Sequence, residues 1–380
     1  MSGTVGVGTV GVGPVGVGVI GAGVISNQYL ENLTTAPDVR VVMVADLDSD
    51  RAATQAATYG VPSSGTVAEL LARDDIEIVV NLTIPAAHVS VGLDVLAAGK
   101  HVWSEKPFAL DLESGGRLLA EAHRARLRVA CAPDTVLGAG IQTGRRLIES
   151  GAIGAPLTAL TLFQVSGPES WHPNPDFLYA RGGGPLFDMG PYYLSTLVQL
   201  MGPATRVVAR GSTARASRVI GSGPREGESF AVEVPTHVVA LVDFENGTSA
   251  QSTFSFQSSR PRVGIVEISG TEGTLSLPDP NMFDGDLRIW RDGMSKETDA
   301  EVVPATGSTF SRGAGVVELA RAIRAGVPER ASADFAFHVL DLMVSIQASA
   351  ETDGESVMIE STVTNPPALP EDWDPTAATL

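Results

Sequence analysis

The chain has 380 residues, of which 43% are hydrophobic and 18% are charged. This length and balance predict two globular domains with sizeable cores and exclude a disordered chain. The net charge of −18 repels phosphate backbones and anionic lipids, so neither nucleic acid nor a membrane is expected as a partner.

Cysteine usage and the first residues narrow the class further. Cys131 is the only cysteine, which excludes an internal disulfide and a cysteine-based metal site, and no other cluster of metal ligands is visible. The first residues lack the basic start and apolar run of a signal peptide, and no apolar stretch reaches the roughly twenty residues of a membrane span. We therefore expect a cytoplasmic protein that holds no metal.

The chain opens with a low-complexity extension, residues 1–14, built almost entirely from Val, Gly and Thr. The pattern G-x-G-x-x-G therefore repeats across residues 6–21, and the pattern alone does not locate a nucleotide site. Context does, because the glycines of such a site follow a strand and open a helix. Only the turn after the β-branched segment 15–20 meets this condition, with a helix expected over residues 27–33.

Within that turn, Gly21, Gly23, Val24 and Ile25 are the expected contacts of a dinucleotide. Glycines let the backbone approach a pyrophosphate, and the N-terminus of the following helix adds partial positive charge. Ser26 stands where a third glycine is usual, and its small side chain still permits close packing of the helix on the strand. The turn therefore predicts a cofactor site.

Asp46 ends the second predicted strand, residues 41–45. A carboxylate at this place accepts hydrogen bonds from the adenosine ribose and repels a 2′-phosphate, which favours NAD over NADP. Leu47 follows in place of an arginine, which agrees with NAD. Arg51 could swing back toward a phosphate, so NADP stays open, and helix capping is the alternative role for Asp46.

Strands and helices alternate from there to residue 132. The further predicted strands are 76–82, 101–104 and 129–132, and the predicted helices run to residue 57 from Asp48 or Ser49, then over 88–98 and 112–126. This β-α-β alternation predicts a doubly wound parallel sheet, a Rossmann domain over residues 15–132.

The pattern changes after residue 132 toward antiparallel hairpins. Tight-turn sequences at residues 246–247 and 270–273 join the predicted strand pairs 238–244 with 248–256 and 263–269 with 274–277. Two predicted helices, 315–325 and 333–350, complete an α+β domain over residues 133–366. The tail, residues 367–380, is expected to be irregular.

Polar residues follow the predicted strand 76–82 at its carboxyl end, where ligands bind in open parallel sheets. Thr83 and Pro85 are expected to form the wall beside the cofactor. His88 is a further candidate contact, although a histidine in a first helical turn is often only a surface or capping group.

Glu105, Lys106 and Pro107 follow the next strand, 101–104. Pro107 restricts Lys106 to an extended conformation, and Glu105 offers it a charge partner. A lysine held beside a nicotinamide can donate a hydrogen bond to the reacting oxygen and stabilise developing alkoxide charge. A surface salt bridge is the alternative interpretation.

Asp188 and Tyr192 follow a run of glycines that leads into a helix expected from about residue 192. The two residues share one helix face if the helix begins by residue 188, but Gly190 and Pro191 favour the later start. Tyrosine can relay a proton to a substrate oxygen if neighbours such as Lys106 lower its pKa. Packing of an aromatic pair on the sheet is the alternative.

Several segments together carry a family resemblance. They are Val19-Ile20-Gly21-Ala22-Gly23, Gly99-Lys100-His101-Val102 with Glu105-Lys106-Pro107, Gly183-Gly184 with Asp188-Met189-Gly190, Phe244-Glu245-Asn246-Gly247 and Gly270-Thr271-Glu272-Gly273-Thr274-Leu275. With them the chain resembles the glucose–fructose oxidoreductase / inositol dehydrogenase / rhizopine catabolism (Gfo/Idh/MocA) family over nearly its whole length.

The resemblance implies a Rossmann domain followed by a domain with a large open-faced, mostly antiparallel sheet that mediates homodimers or homotetramers. It implies that Lys106 and Asp188 lie in the active site. Many members carry a histidine four residues after that aspartate, whereas this chain has Tyr192. Some branches, including glucose–fructose oxidoreductases and dihydrodiol dehydrogenases, look similar in using a tyrosine there.

Substrate specificity is expected from the loop before the glycine run, which offers Trp171, His172, Phe177, Tyr179 and Arg181. Aromatic rings can stack on a sugar face, and His172 or Arg181 can bind hydroxyl groups, although packing against the sheet is an equal alternative for each. Asp134 is a weaker candidate.

The predicted function is hydride transfer between C4 of a nicotinamide, NAD or else NADP, and a carbon of a sugar, sugar derivative or cyclic polyol. The alternatives are a dehydrogenase or reductase of a non-sugar diol or ketone and a non-catalytic dinucleotide-sensing regulatory protein.

Overall fold

The structure is a computed structural model that describes residues 13–294 and 296–380. The low-complexity extension predicted for residues 1–14 therefore lies outside the described residues, except for its last two. No helix in the described part of the chain is both long and apolar enough to cross a membrane.

The first half forms a parallel sheet of six strands in the order β3-β2-β1-β4-β5-β6. The strands are β1 Val15–Ile20, β2 Val39–Ala45, β3 Ser64–Gly65, β4 Ile78–Asn81, β5 His101–Ser104 and β6 Val129–Cys131. All five neighbouring pairs are parallel, which confirms the predicted Rossmann sheet. The order reverses between β1 and β4, and ligands bind at such a switch point.

Helices cover both faces of this sheet. They are α1 Ser26–Leu33, α2 Ser49–Thr58, α3 Val67–Leu71, α4 His88–Ala97 and α5 Leu112–Ala125. The short elements β3 and α3 escaped prediction, because two to five residues show no periodicity. Strand β4 is shorter than the predicted 76–82.

The second half is built on a nine-stranded sheet in the order β16-β15-β14-β13-β7-β12-β11-β8-β17. Its elements in chain order are α6 Ala139–Glu149, β7 Pro156–Gln164, α7 Gly184–Met201, β8 Ala204–Ser212, β9 Ser217–Val219, β10 Ser229–Ala231, β11 His237–Phe244, β12 Ser249–Ser255, β13 Arg262–Gly270, β14 Thr274–Leu277, β15 Leu287–Trp290, β16 Glu301–Val303, α8 Ala314–Ala325, α9 Ala333–Glu351 and β17 Val357–Met358. Strands β9 and β10 form a separate pair. Only β7 and β12 pair in parallel in the large sheet of the described chain, so the predicted, mostly antiparallel character is confirmed.

Helix α7 begins earlier than the sequence predicts. It starts at Gly184, not near residue 192, and it carries Pro191 in its interior. Pro185 provides the start, because a proline in the first turn lacks only an N–H that would have no helical partner. Asp188 and Tyr192 therefore lie one turn apart on the same helix face.

Helix α8 packs against the Rossmann sheet although it follows the second sheet in the chain. Val316 and Leu319 belong to the core formed by β1, β2 and α1. Gly315 lies so close to Trp103 of β5 that a Cβ atom would stand 1.9 Å from its ring. The division of domains at residues 132 and 133 stays a prediction, and α8 joins the two halves across it.

The tail has no helix or strand after β17, yet both of its ends are anchored. The backbone of Leu369 donates to Gln142, and the backbone of Thr379 donates to Asp38. Helices α7 and α9 pack on one face of the large sheet. Along β11 and most of β7, buried residues alternate with half-buried or exposed ones that belong to the other face.

Candidate active site

The glycine turn after β1 has the shape that a dinucleotide needs. Gly21 has a φ of +103°, and a Cβ there would stand 2.6 Å from the carbonyl oxygen of Leu82, so only glycine fits. A Cβ on Gly23 would meet no atom within 4 Å, which leaves open space beside the backbone. The hydroxyl of Ser26, buried at the third position, donates to the Gly23 carbonyl at 2.6 Å.

Asp46 lies at the end of β2 against this turn. Its carboxylate accepts hydrogen bonds from the backbone N–H of Ala22 at 2.7 Å and of Asp48 at 2.9 Å. Arg51 also donates to it at 2.5 Å. Burial alone would raise the pKa of Asp46, but these hydrogen bonds hold that pKa below its ordinary value. Asp46 thus lies against the glycine turn, and Arg51, named as the route to NADP, is already paired with it.

Three exposed apolar side chains lie at this edge of the sheet. With the glycine turn and Asp46 they form the surface that we call the groove. Val24, Leu47 and Ile84 are 89%, 100% and 69% exposed, and they follow β1, β2 and β4, which are neighbours in the sheet. Large apolar groups left in water on one sheet edge indicate a ligand surface. Ile25, by contrast, packs against the core. The open space at Gly23 and this apolar floor fit a dinucleotide.

His88 supports the groove from behind. It is 1% exposed, and its Nδ1 lies 2.8 Å from the Pro107 carbonyl oxygen, while Nε2 lies 3.0 Å from that of Thr83. Burial lowers the pKa of His88, and its two ring nitrogens lie between a carbonyl of the loop after β4 and a carbonyl of the loop after β5. Thr83 donates its hydroxyl to Asn81 at 2.7 Å, and Pro85 faces the cavity described below.

Glu105 does not form the ion pair that the sequence predicts. One carboxylate oxygen accepts from the hydroxyl of Tyr29 at 2.8 Å, and the other accepts from the backbone N–H of Lys106 at 3.0 Å. Trp103 donates to the same Tyr29 hydroxyl. A buried carboxylate satisfied in this way fixes the backbone before Lys106 and acts on the ammonium only through its charge.

Lys106 pairs with Asp188 instead. Its Nζ donates to the Asp188 carbonyl at 2.8 Å and to the carboxylate at 3.1 Å, and its side chain is 17% exposed. Burial opposes the charge, but Tyr192, Asp188 and Glu105 outweigh it and raise the pKa of Lys106 well above its ordinary value. An ammonium has three N–H donors, so one remains without an acceptor among the described residues.

Tyr192 is the third member of the group. Its ring centroid lies 5.2 Å from Nζ of Lys106. The sequence predicts that Lys106 lowers the pKa of this phenol. The lysine does act in that direction, but burial is the larger effect, and the pKa of Tyr192 is raised. The phenol therefore stays protonated in the protein unless further positive charge stabilises its anion.

A cavity of 350 Å³ opens beside Lys106 and Asp188. Its wall is largely apolar, with Ile84, Leu110, Phe177 and Phe187, and Arg181 lies at its rim. Among the residues that the structure describes, no side chain is hydrogen-bonded to the guanidinium of Arg181. Of the five candidate substrate residues, Phe177 and Arg181 line the cavity.

The other three predicted substrate residues lie elsewhere. Tyr179 is fully buried, and its hydroxyl donates to Glu169, so it belongs to the core beneath the loop. Arg218 of β9 holds the same glutamate at 2.6 Å. Trp171 is 67% exposed and packs edge-on against His172, outside the cavity wall. A composition rich in aromatics does not reveal which rings face the site.

Sequence reasoning missed Arg312, which lies just before α8. Its guanidinium donates to the Tyr192 hydroxyl at 3.2 Å and to Asn281 at 2.7 Å, and it lies 3.4 Å from the Asp134 carboxylate. Asp134, the weaker candidate, is fully buried. No local motif surrounds Arg312, so the sequence around it did not indicate a role in the site.

A dinucleotide-binding parallel sheet with a lysine, an aspartate and a tyrosine at its carboxyl edge defines a nicotinamide-dependent oxidoreductase. Two family models match the chain: "Oxidoreductase family, NAD-binding Rossmann fold" over residues 15–132 and "GFO/IDH/MocA C-terminal domain" over residues 141–276. The chain belongs to this family. The predictions of the family, of the fold, of NAD as cofactor and of a dehydrogenase are confirmed.

Known proteins resemble the chain over most of its length. An uncharacterized oxidoreductase, ORF334 of Rhizobium meliloti, is 29% identical over 334 residues, which are 85% of this chain and 92% of that protein. The 1,5-anhydro-D-fructose reductase of Ensifer adhaerens is 28% identical over 62% of this chain and 67% of its own. Levoglucosan dehydrogenase, solved with NADH and levoglucosan, shares the fold with a TM-score of 0.77 at 20% identity, covering 91% of this chain and 99% of that one.

Proposed function

We propose that this dehydrogenase oxidises, or forms by reduction, a secondary alcohol of a sugar, sugar derivative or cyclic polyol. The observation that carries the proposal is the Lys106–Asp188 pair beside a 350 Å³ cavity at the carboxyl ends of β4 and β5. Similarity to a reductase named for an anhydrosugar supports the substrate class. We propose NAD as the preferred cofactor, with NADP as a second.

Cofactor binding is assigned to the groove residues. Gly21, Gly23 and Val24 form the turn for the pyrophosphate, Asp46 faces the ribose, and Thr83 with Pro85 borders the nicotinamide. Glu105 and His88 would act indirectly, by holding the loops that carry Lys106 and Thr83. The bound nicotinamide supplies the acceptor or donor of the hydride at its C4 atom.

Lys106 is the proposed contact to the reacting oxygen. Asp188 uses two of its N–H donors, and the third is directed to the substrate, where it stabilises alkoxide charge. Tyr192 is the proposed acid and base. In the oxidation, the hydride leaves carbon with its electron pair, the hydroxyl proton passes to the Tyr192 phenolate, and a carbonyl group remains.

Initial rates with NAD and with NADP test the proposal, measured against aldoses, glycosides, anhydrosugars and inositols. We expect NAD reduction with at least one of these classes. Tight binding of NAD with no turnover on any alcohol would contradict the proposal and favour a sensor of the dinucleotide.

The apolar cavity wall favours a second candidate substrate, a cyclic diol without the polar faces of a sugar. Leu110, Phe177 and Phe187 offer it hydrocarbon contact and no hydrogen-bond partners. The same panel therefore includes cyclohexane-1,2-diols. A kcat/KM for a diol that exceeds the value for every sugar would select this candidate.

We also propose that the outer face of the large sheet joins two or more copies of the chain. Val208 and Leu241 are 37% and 56% exposed there, and they lie opposite each other across neighbouring strands. Leu241→Arg should reduce the mass measured by light scattering, whereas Val327→Arg, an exposed position off the sheet, should not. An unchanged mass would contradict the proposal. The cytoplasmic location stays a prediction.

A further inference from the structure

Tyrosine hydroxyl groups in the buried parts of this protein are committed in different ways. The hydroxyl hydrogens of Tyr29 and Tyr179 each go to a glutamate carboxylate. The hydroxyl of Tyr192 instead receives a hydrogen bond from Arg312. Because a guanidinium has no acceptor, the Tyr192 oxygen must be the acceptor in that contact. Within the described residues its own hydrogen has no acceptor, so the hydroxyl can still donate one hydrogen bond.

Arg312 is itself firmly held. Its side chain is 9% exposed, and Asn281 accepts a hydrogen bond from it at 2.7 Å. Asp134 balances its charge from 3.4 Å and at the same time accepts the backbone N–H groups of Gly313 at 2.8 Å and Gly315 at 3.3 Å. The guanidinium is thereby held by Asp134, which follows β6, and by Asn281, which lies between β14 and β15.

We infer that Arg312 is a positioning residue for the proton-transfer step, holding the Tyr192 oxygen as an acceptor and stabilising its phenolate. The inference rests on the proposed function of Tyr192 as acid and base. The guanidinium carbon lies 5.4 Å from the ring centroid, while Lys106 lies 5.2 Å from it. Two cations thus flank the phenol, and they oppose the effect of burial.

Other charged groups also face Tyr192. Besides the two cations, these are Glu105 after β5 and Asp188 on its own helix, which both disfavour the phenolate. Loss of Arg312 leaves these two carboxylates opposed by Lys106 alone. The oxidation requires the phenolate, so its rate rises with pH as Tyr192 loses its proton. Without Arg312, this rise should move to higher pH.

The test compares kcat against pH for the wild type, Arg312→Gln, Arg312→Lys and Tyr192→Phe. We expect Arg312→Gln to lower kcat about 10- to 100-fold, the range for one lost charge-assisted hydrogen bond. We expect the rise of kcat to shift upward by about 1–3 pH units. Arg312→Lys, which keeps the charge, should recover part of both effects.

Arg321→Gln is the matched control. Arg321 lies on α8, which Arg312 precedes, and binds a buried carboxylate of the first half, Asp38, at 2.7 Å, but it does not contact Tyr192. Its loss should lower stability without moving the pH profile. A pH profile of Arg312→Gln that matches this control would overturn the inference.

A double variant separates action through Tyr192 from a general structural effect. If Arg312 acts through the phenol, Tyr192→Phe/Arg312→Gln should be no slower than Tyr192→Phe. An equal loss in both backgrounds would contradict the inference.

Failure of the proposed function would appear separately, as a wild type that oxidises no alcohol. The inference can then be decided by ultraviolet titration of tyrosinate, taking the difference from Tyr192→Phe. Arg312→Gln should raise the pKa of the Tyr192 signal. An unchanged pKa would refute the inference.

Discussion

The two ends of the active site hold their charges in opposite surroundings. Lys106 and Arg312, beside the reacting centre, have side chains only 17% and 9% exposed. Arg51, beside the ribose position, is 52% exposed. An exposed ion pair contributes about 0–1 kcal/mol, whereas breaking a buried one leaves a charge without compensation. The side chains beside the reacting centre are therefore fixed by buried ion pairs, whereas the arginine that bears on the choice of cofactor is only weakly held.

Lys106→Ala is expected to have the largest effect of the variants that test this contrast. The variant loses the donor to the reacting oxygen and leaves Asp188 without its partner, so kcat should fall by about 10²–10³-fold, as for the loss of one donor to a developing oxyanion. The Kd for NAD, measured by protein fluorescence, should change little, because the groove contacts remain.

Asp188→Asn provides the comparison for that variant. It keeps the shape and the carbonyl contact of the lysine while removing the carboxylate charge. Its loss of kcat should be smaller than that of Lys106→Ala. Full activity of Lys106→Ala would refute the assigned role of the lysine.

The glycine turn tests the cofactor end of the site with a pair of variants. Gly21→Ala forces a side chain onto a φ of +103° and to 2.6 Å from the Leu82 oxygen, which should lower the free energy of unfolding by about 1–3 kcal/mol. Gly23→Ala meets no protein atom within 4 Å, so its stability should be unchanged.

The same two variants should also separate an effect on cofactor binding from an effect on stability. Gly23→Ala fills the space assigned to the pyrophosphate, so its Kd for NAD should rise at least tenfold while its thermal midpoint stays that of the wild type. Equal NAD affinity in Gly23→Ala and the wild type would place the pyrophosphate elsewhere.

The cofactor end was the more predictable of the two from sequence. A strand, a glycine turn and an acid at the end of the next strand are local patterns, and each role follows from neighbours in the chain. The groove residues Gly21, Gly23 and Asp46 lie where these patterns place them. The pairing of Asp46 with Arg51 could not be predicted, because the sequence does not show in which direction the arginine side chain points.

The catalytic end depends on contacts between distant segments. Lys106 and Asp188 were found because each has a motif, but Arg312 meets Tyr192 across 120 residues with no motif around it. Tyr179 was assigned to the substrate and proves to be buried, since loop composition does not tell which rings turn inward. The prediction of an ion pair between Glu105 and Lys106 was wrong for the same reason, because Tyr29, a distant residue in the chain, donates a hydrogen bond to the Glu105 carboxylate.

Arg51→Ala is expected to have the smallest effect, and it tests the cofactor end of the site. Without the guanidinium, Asp46 should repel a 2′-phosphate more strongly, so KM for NADP should rise about fivefold, the factor that corresponds to roughly 1 kcal/mol. KM for NAD should stay within about twofold by the same reasoning. An unchanged ratio of the two constants would show that Arg51 does not reach the 2′ position.

The pH dependence of the same variant sharpens the comparison. Because hydrogen bonds lower the pKa of Asp46 in the folded chain, its contribution to stability is present above the carboxyl's ordinary pKa and disappears as pH falls through the lowered value. Arg51→Ala removes the two hydrogen bonds that the guanidinium donates to Asp46 and should weaken the loss of stability in acid, measured as the thermal midpoint between neutral and acidic buffer. Since the backbone N–H groups of Ala22 and Asp48 still donate to the carboxylate, part of the acid dependence should remain. An acid dependence identical to that of the wild type would mean that these two donors alone hold the carboxylate, and that the exposed guanidinium serves only a bound cofactor.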